Sequence, residues 1–342
     1  MNTKRKLNLG LAILRAIMCF MVVLCHYWNA NETKGILKIF QWSRDASVHV
    51  FMMMSFMFVY NTLIECNVEK IKKRFERLII PQIGWTIIYW GIYKIIDVIF
   101  GLQFENGISD FIWQMFWGHS PKLNATMWYQ VDLIYLTLLF SIVIAIFKRS
   151  YSIIFWILGA IALFMQYSGL NMVFDGWRYE LKYPIGRFFE MLPMAVVGFM
   201  FSSNQIIEKI EKNRFLSIGI SAFTLIMIAK YEIFSDVSGY GYQGLKWIVV
   251  AVAFVVLFYC LPFEKIPKRM AKVIELATSY TMGIYCMHRL IATIINELIS
   301  KLGIPIELYS FEECILIYIV CFICAGLGTV IFGKTKWKAL FN

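Results

Sequence analysis

The sequence predicts an all-α protein: a polytopic transmembrane helical bundle of about ten spans, with both termini cytoplasmic. Three observations predict it. Hydrophobic residues fill 60% of the 342 positions and charged residues only 16%, against about 25% charged in ordinary soluble domains. The apolar residues fall in blocks of about 18–22, the length that crosses a bilayer as a helix. Lys and Arg gather in alternate connections, as cytoplasmic loops require. Backbone groups in lipid must be satisfied internally, so long apolar blocks mean helices. The alternating ten-residue pattern of an outer-membrane barrel is missing.

Taken in order, spans are predicted near 9–28, 45–66, 79–100, 127–147, 152–170, 187–203, 215–234, 245–262, 279–298 and 314–333. The first follows Lys4, Arg5 and Lys6, as a signal peptide does. It is longer than a typical signal h-region, and WNANE after it lacks a small-x-small cleavage site, so it reads as a retained helix. The connections are short, so residues 1–342 form a single membrane domain. The inner segments 1–8, 67–78, 148–151, 204–214, 263–278 and 334–342 hold 20 of the 33 Lys and Arg. That distribution accounts for the net charge of +11 without a nucleic-acid partner. The eight cysteines fall in or beside apolar spans and read as packing residues. Cys321 and Cys324 make a CxxC at lipid depth, with no second ligand pair at zinc spacing, so no metal is expected.

The informative residues are polar ones where lipid penalises them. A charge at the bilayer centre costs ~2.5–3.5 kcal/mol on insertion scales, which makes such groups functional candidates. The first span carries Arg15 and His26, eleven residues apart. At 100° per residue they differ by only about 20° in direction and lie ~16 Å apart along the axis. One stripe thus presents a cation below and an imidazole above; the alternative is a snorkelling Arg with an interfacial His. In KIKKRFERLIIP, Arg74 and Arg77 stand three apart at the head of a helix, before Pro81. Two guanidiniums there can grip a phosphate, or simply add to the positive-inside charge. His49 and Ser55 lie on the second span, Asp132 on the fourth, His288 and Arg289 on the ninth. Arg187 and Glu190 have the spacing of an ion pair. The stretches 101–125 and 168–186, placed outside, carry Trp113, Trp117 and Trp177. Such rings stack on sugars and also populate membrane interfaces.

These blocks, in this order, resemble the acyltransferase-3 family of integral membrane acyltransferases. LRAIMCFMVVLCH has the family's Arg, ten residues, His arrangement at Arg15 and His26. VFMMMSFMFVY resembles its Phe-rich helix with a central Ser, except that Phe56 stands for the usual Gly after Ser55. RFERLIIP matches Arg-x-x-Arg-Leu-x-x-Pro at Arg74, Arg77 and Pro81. MWYQVDLIY is similar to the Leu-Trp-Tyr-Leu block, with Asp132 near a position where some members carry Glu. SYTMGIYCMHRL is similar to the late Ser-x-Gly-Ile-Tyr-Leu-x-His block, with Ser279, Gly283, Tyr285 and His288.

The resemblance implies an acyltransferase, with acetyl-CoA or another acyl-CoA as cytoplasmic donor. The acceptor is expected to be a hydroxyl of an extracytoplasmic or lipid-linked glycan, and the location a multi-pass place in the cell membrane, bacterial plasma membrane by expectation. Arg15 and His26 would be essential. On this reading Arg74, Arg77 and Arg15 hold the nucleotide end of the donor. His26 is the general base, since an unperturbed imidazole titrates near pH ~6.5. Asp132 would orient the imidazole, and Arg187 or His288 would stabilise the oxyanion. The other reading is a transporter or flippase for a glycan or small anionic solute, because intramembrane charges also mark substrate paths.

Overall fold

The computed structural model describes residues 8–27, 44, 46–100, 107–120, 123–168, 182–231, 244–303, 307 and 309–341. All regular structure among them is helical. Every expected span has a helix. They are α1 (Leu9–Tyr27), α2 (Ser47–Ile64), α3 (Val68–Phe100), α5 (Trp128–Phe147), α6 (Tyr151–Tyr167), α7 (Lys182–Phe201), α9 (Arg214–Tyr231), α10 (Leu245–Cys260), α12 (Thr281–Leu302) and α13 (Phe311–Ile331). Three further helices, α4 (Ile108–Trp117), α8 (Asn204–Lys212) and α11 (Lys268–Ser279), lie in stretches the sequence left as connections. Lys4, Arg5, Lys6 and Trp177 lie outside the described residues.

Six stretches are long and apolar enough to cross a membrane: Leu9–Tyr27, Ser47–Ile64, Trp128–Tyr167, Pro184–Phe201, Arg214–Tyr231 and Phe311–Ile331. The 40-residue Trp128–Tyr167 stretch contains both α5 and α6, and Leu245–Cys260 is a shorter apolar helix. Outside this set stand α3 and α12, whose apolar character is diluted by Gln82 and Lys94, and by His288, Arg289 and Glu297. On α9, Phe215, Ile220 and Phe223 are exposed. A helix so apolar and so little covered by its own chain needs lipid around it.

The start of α3 lies eleven residues before the expected span. Asn67 explains the early start: its Oδ1 accepts from Lys70 N at 3.0 Å and satisfies a first-turn donor. Asn8 does the same for Leu11 N at the head of α1, and its amide also donates to Tyr259 O on α10. In the middle of the bundle, α1 packs against α2, α10, α11, α12 and α13. The most extensive helix contact is between α2 and α7. A Cβ on Gly198 would stand 2.3 Å from Met53 O, and Ser202 Oγ donates to Met57 O at 2.6 Å. Beside it Phe56, Phe140, Phe155 and Phe199 form a buried cluster with ring centroids 4.1–5.4 Å apart.

Residues 118–120 and 123–126, which the sequence reading left in an outer connection, are largely buried. The chain turns at Gly118 (φ +65°) and runs inward, with His119, Ser120, Leu123, Asn124 and Thr126 buried. Non-helical backbone at such depth survives only when protein groups satisfy it. Here Gln114 Oε1 accepts from Ser120 N at 2.8 Å, and Asn124 Oδ1 accepts from Thr126 N at 2.9 Å.

The α2–α7 contact gives a direct test. Gly198→Ala sets a methyl against backbone that has nowhere to move, and should cost about 1–3 kcal/mol. Thermal unfolding of the purified variant in detergent checks this; a midpoint equal to wild type would contradict the close approach.

Candidate active site

Arg15 is turned into the bundle. It lines a cavity of about 140 Å³ together with Val22 of α1, Phe51, Ser55 and Phe58 of α2, Arg74 and Leu78 of α3, Tyr129 of α5 and Tyr285 of α12. The Arg15 end of the α1 stripe that the sequence singles out therefore faces protein rather than lipid.

The cavity carries two cations and no acid. Arg74 Nη2 donates to Ser55 Oγ at 2.6 Å, while its Nε is buried with no partner among the described residues. Arg15 has neither hydrogen bond nor ion pair among the described residues. The Tyr129 phenol bears on both guanidiniums. Withdrawing two like charges from water costs several kcal/mol each unless something compensates them. The arrangement suits an anion. Arg77 does not line it: it stays exposed, one turn of α3 beyond Arg74.

Exposure rises along one face of α2. Phe51 and Ser55 are half-buried, Phe58 is 53% exposed and Asn61 is exposed. The cavity thus opens toward the end of α2, beside the exposed Lys70, Lys72, Lys73 and Arg77. Phe56, one residue past Ser55, points the other way into the aromatic cluster against Phe140 at 4.6 Å. Its ring replaces the family's Gly by filling the α2–α5 contact and leaves the cavity untouched.

One turn of α1 beyond Val22 lies His26. It is an exposed residue whose ring stacks on the fully buried His288 of α12, with centroids 5.4 Å apart and planes 24° from parallel. His288 Nδ1 sits 2.6 Å from Tyr285 O. A carbonyl only accepts, so this bond assigns the proton to Nδ1 and leaves Nε2 with a lone pair. Nε2 is buried and has no partner among the described residues. Tyr285 joins the two parts of the site. Its ring lines the cavity, its carbonyl fixes His288, and its hydroxyl donates to Thr126 O.

The sequence expects Asp132 to orient His26, but the structure puts Asp132 elsewhere. The charged and titratable groups that act on His26 are His288, Arg289 and Arg44. Asp132 is buried near Arg187, Glu190, Tyr129 and Tyr285, with Oδ2 unpaired. The expected Arg187–Glu190 ion pair forms at 2.6 Å, and Arg187 also lies over the Trp128 ring at 5.1 Å. Sequence reasoning missed Tyr129, although it stands three residues before Asp132 and so on the same side of α5. Tyr89 was missed too; with Trp85 and Tyr93 it makes an aromatic ladder at four-residue spacing.

A family model described as an acyltransferase domain matches residues 8–333. The chain belongs to the acyltransferase-3 family, is an acyltransferase, and is a multi-pass membrane protein. No curated protein and no solved structure matches it.

Histidine exposure is directly measurable. Diethyl pyrocarbonate should modify His26 well before His288, His49 or His119, which are all buried. Peptide mass mapping reads the order; His288 reacting as fast as His26 would contradict the stacked arrangement.

Proposed function

We propose that the protein is a membrane-embedded O-acyltransferase that moves an acyl group, acetyl in the first instance, from a cytoplasmic acyl-CoA to a hydroxyl of an extracytoplasmic or lipid-linked glycan. The observation that carries this reading is the polar stripe of α1. Arg15 stands in an anion-seeking cavity that opens beside the basic start of α3, and His26 stands further along the same face. In this reading ten helices span the plasma membrane of a bacterium as one domain, with both termini and the Lys70–Arg77 segment in the cytoplasm.

The donor enters past Phe58. Arg15 and Arg74 neutralise its phosphates, with Arg77 adding charge at the rim. The pantetheine arm rises along the apolar wall of Val22, Phe51 and Leu78, bringing the thioester toward His26. The acceptor hydroxyl attacks the thioester carbonyl while His26 takes its proton. Collapse of the tetrahedral intermediate breaks the carbon–sulfur bond. The thiolate leaves and recovers the proton from His26, giving an ester and coenzyme A. His288 stacks on His26 and fixes the plane of its ring. With His288 Nδ1 bound to Tyr285 O, its free Nε2 has no hydrogen to offer an oxyanion. The positive field at the reacting carbonyl comes instead from Arg289. Asp132, beside Tyr129, holds the wall of the donor cavity rather than the base.

Purified protein in detergent, given labelled acetyl-CoA and an oligosaccharide acceptor, should form the ester with no sealed compartment. His26→Ala should lower kcat by about 10²–10⁴-fold, the range of a lost general base. Arg15→Gln and Arg74→Gln should each raise the donor KM by about ten-fold, the effect of one lost charge-assisted contact. A folded His26→Ala variant turning over at the normal rate would remove His26 from the chemistry. Activity seen only in sealed vesicles would indicate a carrier instead.

A further inference from the structure

The turn of α12 that carries His288 is gripped from outside its own helix. In an α-helix the Leu290 N–H pairs with the carbonyl four residues back, that of Cys286. The hydroxyl of Tyr89, on α3, occupies both ends of this rung. Leu290 N donates to it at 3.0 Å, and it donates to Cys286 O at 2.9 Å. Asn124 Nδ2 reaches the same carbonyl at 3.4 Å. His288 lies midway between Cys286 and Leu290.

Tyr89 is itself fixed. It is fully buried, with Tyr93 edge-on at 5.6 Å. One turn earlier, Trp85 Nε1 donates to Leu340 O at 2.9 Å, and its ring meets Phe341 at 5.9 Å. The Phe341 backbone in turn presses on α12 at Gly283, where a Cβ would lie 2.8 Å from Phe341 O. α3 and α12 are thus pinned at two levels, and the phenol cannot slide along the helix it touches.

Packing alone does not account for the hydroxyl. A phenylalanine would fill the same volume, and helix backbone already pairs with itself. A side-chain group set into the ladder alters the local turn. We infer that Tyr89 is a positioning residue for the histidine pair: its hydroxyl, shared between Cys286 O and Leu290 N, sets the turn on which His288 stacks against His26. This rests on the role given to His26 and His288 under the proposed function.

Tyr89→Phe keeps the ring and lets the rung close on itself. In the purified variant, diethyl pyrocarbonate should reach His288 faster, by about five-fold, while buried His49 and His119 keep their wild-type rates. In the transfer assay kcat should fall by about ten-fold with the donor KM nearly unchanged, because misplacing a reacting group slows chemistry more than binding. An unchanged His288 rate together with unchanged kcat would overturn the assignment. So would a rise at all the buried histidines together, which marks general loosening. Labelling needs no substrate, so it separates this inference from the one beneath it. A selective His288 response without loss of turnover would uphold Tyr89 as the residue that sets the turn and sink the role of His288 in transfer.

Discussion

The structure depends on two unneutralised guanidiniums held in one cavity inside an apolar bundle. Arg15 and Arg74 come from different helices, meet across Tyr129, and share no carboxylate among the described residues. Such an arrangement is expensive for folding and gives no packing in return, which is the ground for proposing an anionic ligand there. Several features follow from it. The central place of α1 keeps Arg15 out of lipid. Ser55 fixes one hand of Arg74 and leaves Nε free. The graded exposure of α2 gives an anion a way in from the basic end.

The second half of the site is built by a different device. Where the cavity uses charge, the histidine pair uses backbone carbonyls. Tyr285 O assigns the His288 proton, and Cys286 O receives Tyr89 and Asn124. Asn124 and Thr126 and the tucked turn at Leu340 and Phe341 supply much of this scaffold. Tyr285 connects the two halves, so a shift in α12 would be felt by the cavity and the histidine pair together.

The sequence showed much of this. Spans were readable because apolar block length is a strong constraint in lipid, and each expected block became a helix. The Arg15–His26 stripe was readable because helical geometry puts residues eleven apart on one face. Arg187 with Glu190 was readable as a local ion pair. The rest depended on contacts between distant residues. Residues 118–120 and 123–126 looked like an outer connection because Ser120, Asn124 and Thr126 are polar, yet that polarity satisfies buried backbone. Arg77 shares spacing with Arg74, but only Arg74 finds a partner across the cavity. Asp132 was paired with the wrong helix, since no one-dimensional pattern says that α5 meets α7 rather than the upper part of α1. Tyr89 could be seen only once α3 and α12 were side by side.

A cryo-EM structure of the protein with a non-transferable acyl-CoA analogue tests the central claim most directly. The account predicts phosphate density between Arg15 and Arg74, an arm passing Val22, and the sulfur beside the His26–His288 stack. Phosphates bound away from Arg15, or an arm lying outside the bundle against lipid, would contradict it.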